Sequence, residues 1–170
     1  AGNGFEIQMQ ENSMNEEARQ RFLEAFATRR QTTTLGFCVL GGIFSEGIDL
    51  KEDRLIGAII VGTGLPQVGN ERELLREFYD AKCGMGFEYA YLYPGMNKVL
   101  QAGGRVIRTE KDRGVIALLD ERFNYRQYRS LFPREWSKSS RVTRQNVVEA
   151  VNAFWEAADV AGGAPPSCAE

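Results

Sequence analysis

Two stretches of this chain gather residues able to handle an anion. The segment QAGGRVIRTEKDRG (residues 101–114) spaces Gln101, Arg105 and Arg108 at i, i+4 and i+7, which puts all three on one face if a helix continues that far. Gly103 and Gly104 lie between them and permit close approach by a bulky anion, while guanidinium groups are always-charged donors matched to phosphate oxygens. Two arginines on a surface helix are as readily plain solvated charges. The segment GGIFSEGIDL (residues 41–50) brings the hydroxyl of Ser45, the carboxylates of Glu46 and Asp49, and Gly47 to a turn between strand and helix. Backbone N–H groups at such a turn are free to meet an anion, but Glu46 and Asp49 could equally cap the turn that follows.

A third stretch is basic. Between Arg122 and Arg144 lie Arg122, Arg126, Arg129, Arg134, Lys138, Arg141 and Arg144 against one acid, Glu135, in a chain whose net charge is only -2. Phe123, Tyr125, Tyr128, Phe132 and Trp136 are interleaved. Such a mixture can track a phosphate backbone and stack on bases, or it can be a solvated helical face with its aromatic side chains turned inward. Metal and triad chemistry are poorly served by this chain. It has no histidine, and Cys38, Cys83 and Cys168 are far apart with no C-x-x-C spacing, so neither a metal site nor a disulfide framework is expected.

The elements that must position these residues follow from apolar periodicity. Helices are expected over residues 14–29, over 70–82, from Pro94 through the segment GMNKVLQAGG, and over 143–160. The runs LGFCVLGG (35–42), LIGAIIVG (55–62) and RGVIALLD (113–120) are short and continuously apolar, which predicts buried parallel strands. Alternating strands and helices predict an α/β sandwich on a mainly parallel sheet, with sites at the carboxyl ends of the strands. At 170 residues and 43% hydrophobic, the chain is expected to form one domain over residues 1–160, with 161–170 as a flexible tail. No apolar run approaches the roughly 20 residues that cross a bilayer, and no signal-peptide pattern opens the chain. A soluble, intracellular protein without membrane contact is therefore expected.

Together, SEGID and Q-x-x-G-R-x-I-R resemble motifs V and VI of superfamily 2 helicases of the XPD/DinG branch. Gln101, Gly104, Arg105, Ile107 and Arg108 match the second motif, and DRGVIALLDERF (112–123) resembles the family's D-x-G strand ending in D-x-R-[FL]. The likeness covers roughly residues 35–135. It implies a RecA-like three-layer sandwich serving as the second motor domain of an ATP-dependent DNA helicase. Arg105 and Arg108 would then be fingers on the γ-phosphate, Gln101 would orient the nucleotide or the attacking water, and Glu46, Gly47, Asp49 and Gly104 would line the nucleotide site. Ser45 and Thr63 would reach phosphates of single-stranded DNA, with Arg126 and Arg129 as further DNA contacts.

The same likeness implies ATP with magnesium, held mainly by a first RecA-like domain of a longer parent. This chain contains neither G-x-x-x-x-G-K-[ST] nor a D-E-A-H box, so alone it should be inactive. An iron-sulfur cluster, found in many members, would belong to the parent outside this chain. The expected location is the cytoplasm, associated with the nucleoid in a bacterial or archaeal cell. Two other readings compete. One is a non-catalytic module on the same fold that binds nucleic acid or protein. The other is a small Rossmann-type enzyme, suggested weakly by GTG at 62–64, which lacks the third glycine and the acidic partner.

Overall fold

The computed structural model describes residues 4–11, 13–27, 32–44, 55–107 and 112–162, with side chains as far as residue 157. The chain divides into two compact units, Ala1–Leu131 and Phe132–Glu170. In the first unit, strand β1 (Phe5–Met9) pairs in parallel with β2 (Thr33–Phe37), and β3 (Gly57–Val61) pairs in parallel with β4 (Val115–Leu119). Among the described residues these are two separate two-stranded sheets.

Helix α1 (Glu16–Ala27) connects β1 to β2. Asn15 caps it, its side-chain oxygen accepting from the Ala18 N–H at 2.8 Å. Phe22 and Ala25 are buried, and the Phe22 ring stacks on Phe44 with centroids 4.1 Å apart. Gly36 is what lets α1 approach β2, since a methyl group there would lie 2.7 Å from the tip of Phe26.

Helix α2 (Asn70–Cys83) ends at Gly84, whose φ of 71° is the left-handed conformation glycine adopts freely. A π-helical turn (Glu88–Leu92) then runs directly into α3 (Tyr93–Gly103). Pro94 opens α3 as expected, and its missing N–H frees the carbonyl of Ala90 four residues earlier. The Arg72 guanidinium of α2 donates to that carbonyl at 3.3 Å. One salt-bridged network ties these elements. Arg76 meets Glu73 at 3.4 Å and Asp80 at 3.7 Å, Glu73 accepts from the Tyr91 hydroxyl, and Asp80 accepts from the Gly86 N–H at 2.7 Å. Beside the Glu73 carboxylate the Tyr91 phenol titrates above its ordinary range, because the hydrogen bond to Glu73 favours its protonated form.

After β4 come a 3-10 turn (Glu121–Asn124) and the short helix α4 (Arg126–Arg129). In the second unit a 3-10 turn (Arg134–Lys138) precedes α5 (Val147–Gly162), where Asn146 accepts from the Thr143 N–H at 2.6 Å. The last helix therefore starts at Val147 and not at 143, the first residues being held in a side-chain-bonded turn.

Two expectations about the strands need correction. The strand expected at 35–42 lies at Thr33–Phe37, and residues 38–42 turn away. The pairing is parallel as expected, but the strands are not buried on both sides. In β1 and β2 exposure alternates, with Phe5, Ile7, Met9, Leu35 and Phe37 on the open face, and Ile59 and Val61 do the same in β3. The face of β1 that is covered carries Glu6 and Gln8, so its apolar face is the open one. Strand β1 itself was not anticipated.

Candidate functional site

The site is best built outward from β4. Helix α3 stops at Gly103, and the chain continues as tight turns, with Arg105 N–H donating to Ala102 at 3.2 Å and Val106 N–H to Gly103 at 3.1 Å. The shared helical face imagined for Gln101, Arg105 and Arg108 therefore does not extend past Gly103. Two consecutive glycines end the helix because neither has a side chain to hold it. Gln101 is exposed on the last turn of α3, Gly104 is exposed, and Arg105 is half-buried in the turn that follows.

Val106 fixes that turn. It is buried, and it meets Gly114 at the start of β4, where a methyl group would lie 2.3 Å from Val106 Cγ1 and 3.0 Å from the Ile56 carbonyl oxygen. The Val115 N–H donates to the same carbonyl at 3.1 Å, joining the foot of β4 to β3. Glycine at 114 is thus what allows the Arg105 turn to lie against the paired strands. Arg108, Ser45, Glu46, Gly47 and Asp49 lie outside the described residues.

The loop beyond β3 is held just as closely. A methyl group on Gly64 would lie 2.8 Å from the Gly95 carbonyl oxygen, and one on Gly95 would lie 2.7 Å from that of Thr63, so backbone meets backbone without side chains between. Thr63 is 1% exposed, and its hydroxyl has no hydrogen-bond partner among the described residues.

At the other end of β4 stands an ion pair between residues two apart in sequence. Asp120 accepts from Arg122 Nε at 2.9 Å and Nη2 at 2.7 Å, and also from the Arg122 backbone N–H at 2.9 Å. The Arg122 hydrogen bond holds the Asp120 carboxyl below the usual carboxylate range, and Asp120 in turn raises the guanidinium. Asp120 is therefore both the cap of the 3-10 turn and an ion-pair partner. Beyond it Phe123 and Tyr128 are buried edge to face with centroids 6.5 Å apart, while Arg126 and Arg129 are exposed on α4. Arg126 and Arg129 belong to the first unit, while Arg134, Lys138, Arg141 and Arg144 belong to the second. Among the described residues no three acids, cysteines or histidines come together as a metal site, and Cys38 and Cys83 are exposed.

Parallel strands connected through helices, with a glycine-bounded arginine turn at the amino end of β4, define an α/β domain. The chain belongs to the helicase C-terminal domain family, which matches residues 1–139, and its fold is accordingly RecA-like. It is similar to the ATP-dependent DNA helicase DinG of Photobacterium profundum, 37% identical over 89 residues, covering 51% of this chain and 13% of that protein. A regulator of telomere elongation helicase 1 homolog of Oryza sativa subsp. japonica is 36% identical over 124 residues, covering 64% of this chain and 12% of the relative. The XPD helicase subunit of general transcription and DNA repair factor IIH of Dictyostelium discoideum is 29% identical over 120 residues, 69% of this chain and 15% of the relative. The chain thus spans only a small part of the length of each of these relatives.

Proposed function

We propose that this chain is the second motor domain of an ATP-dependent DNA helicase, facing a first RecA-like domain of the same parent across a nucleotide cleft. The observation that carries this reading is the turn after α3, where Gly104 and Gly114 leave room for Arg105 to be presented from a backbone packed against β3 and β4. Membership in the helicase C-terminal family and relatives that bear the name ATP-dependent DNA helicase support it.

In this reading Arg105 and Arg108 neutralise charge that develops on the γ-phosphate as it is transferred, and Gln101 orients the nucleotide or the attacking water. Glu46, Gly47, Asp49 and Gly104 line the same cleft. Ser45, Arg126 and Arg129 take part in the path of single-stranded DNA, which is held through its backbone and without sequence preference, whereas Thr63 is buried and is left out of it. ATP draws the two domains together through the arginines, and hydrolysis lets them part. Among the described residues no group fits a magnesium ion or an iron-sulfur cluster, and no step here depends on either.

The test compares the 170-residue chain with a protein that also carries the first domain. The chain alone is expected to hydrolyse no ATP, and the two-domain protein to show turnover stimulated by single-stranded DNA. A purified chain with its own DNA-stimulated turnover, or a two-domain protein indifferent to DNA, contradicts the reading.

A further inference from the structure

The segment after β4 separates its aromatic residues sharply. Phe123 and Tyr128 are buried against each other, while Tyr125, two residues from one and three from the other, is 48% exposed. Tyr125 lines an open depression together with Arg126, Gln127 and Ser130, all of them exposed. Its backbone is extended and fixed, its N–H donating to the Arg122 carbonyl at 2.9 Å and its own carbonyl accepting from both Tyr128 and Arg129 at 3.0 Å. The far end of the ring is tethered as well, the hydroxyl meeting the Glu121 carboxylate at 3.4 Å.

Charge completes the arrangement. Arg122 is neutralised by Asp120, whereas Arg126 and Arg129 make no ion pair among the described residues. On a helical path Arg126, Arg129 and Ser130 fall on one side, and the buried Tyr128 on another. An exposed ring fixed at both ends, beside two guanidinium groups without acidic partners, matches what an unpaired base and its phosphate require. A flat π-face accepts any base, and guanidinium groups bind phosphate oxygens.

We propose that Tyr125 is a stacking platform for one base of single-stranded nucleic acid, with Arg126 and Arg129 on the adjoining phosphates. This rests on the single-strand contact proposed above and adds the residue that holds the base. Of the aromatic residues of the first unit in the basic stretch, Tyr125 has this role, because burial removes Phe123 and Tyr128 from it.

The test is a fluorescence-anisotropy titration of the full chain at low salt with a labelled oligothymidylate and with an abasic strand of the same length. The wild-type chain is expected to prefer oligothymidylate. Tyr125→Phe and Tyr125→Trp should keep that preference, and Tyr125→Ala should weaken oligothymidylate binding about tenfold, the scale of one lost stack, without weakening abasic binding. Equal affinity of the wild type for both strands, an unchanged Tyr125→Ala chain, or equal losses in Tyr125→Phe and Tyr125→Ala overturn the platform and leave the broader DNA reading standing. A wild-type chain that binds neither strand overturns both. Thermal melting of each variant identifies unfolding, and Tyr125→Leu, which keeps apolar bulk but loses the π-face and should lose the preference as well, decides the question if Tyr125→Ala fails to fold.

Discussion

Asp120 serves the structure at the end of β4 in two ways. It closes the carboxyl end of β4 by capping the 3-10 turn and by holding Arg122. Its carboxyl titrates below the ordinary range because of the Arg122 hydrogen bond. A carboxyl depressed in the folded state contributes stability that is present above its unfolded pKa and lost as pH falls through the folded one. Asp120→Asn is therefore expected to lower stability at neutral pH by about 1–2 kcal/mol, and the gap should close below about pH 4. Urea denaturation of both proteins at neutral and acid pH measures this. A gap that persists unchanged in acid contradicts the assignment.

At the scale of elements, the packing of Val106 on Gly114 helps set the turn after α3 that carries Arg105. Gly114→Ala places a methyl group where Val106 Cγ1 stands, so the turn must shift. We expect a loss of about 1–3 kcal/mol in stability, the usual cost of overpacking, and a loss of ATP turnover in the two-domain protein greater than that of nucleotide affinity. Gly114→Ala together with Val106→Ala should recover part of both, and no recovery would mean the contact is not what positions the turn.

Much of this level was legible in the sequence. The apolar runs located β3 and β4, and Asn70–Cys83 was bounded to within a residue by its periodicity. Strand β1 escaped because FEIQM is only five residues long and alternates apolar with polar, a weak pattern beside the continuous runs. The helix end at Gly103 was written in the double glycine, yet the regular spacing of Gln101, Arg105 and Arg108 pointed the other way. The Asp120–Arg122 pair was legible from spacing, but the split between exposed Tyr125 and buried Tyr128 depends on how the 3-10 turn meets α4, which local pattern does not encode.

For the molecule as a whole, the open apolar faces of the paired strands are the most consequential feature. Parallel strands are ordinarily covered on both sides, and Phe5, Ile7, Met9, Phe37, Ile59 and Val61 are each more than half exposed. The chain by itself is expected to bind a hydrophobic dye such as ANS while folded and to self-associate as concentration rises. Replacing Ile7 and Ile59 with lysine should reduce both without lowering helix content. Dye binding that appears only on unfolding would show that these faces are covered in solution.

In the proposed function the turn after α3 delivers an arginine to ATP hydrolysis, and Arg105 in the two-domain protein tests this. A guanidinium aimed at the γ-phosphate acts on charge present mainly in the transition state, so its removal lowers kcat far more than nucleotide affinity. Lysine keeps the charge and loses the planar fork, so it should not rescue. The measurement is steady-state, DNA-stimulated ATP hydrolysis beside direct nucleotide binding for wild type, Arg105→Ala and Arg105→Lys. Both variants are expected to lose about a thousandfold in kcat while binding nucleotide within a few-fold of wild type. Near-normal turnover in Arg105→Ala would contradict it and leave the arginine a structural feature of the turn.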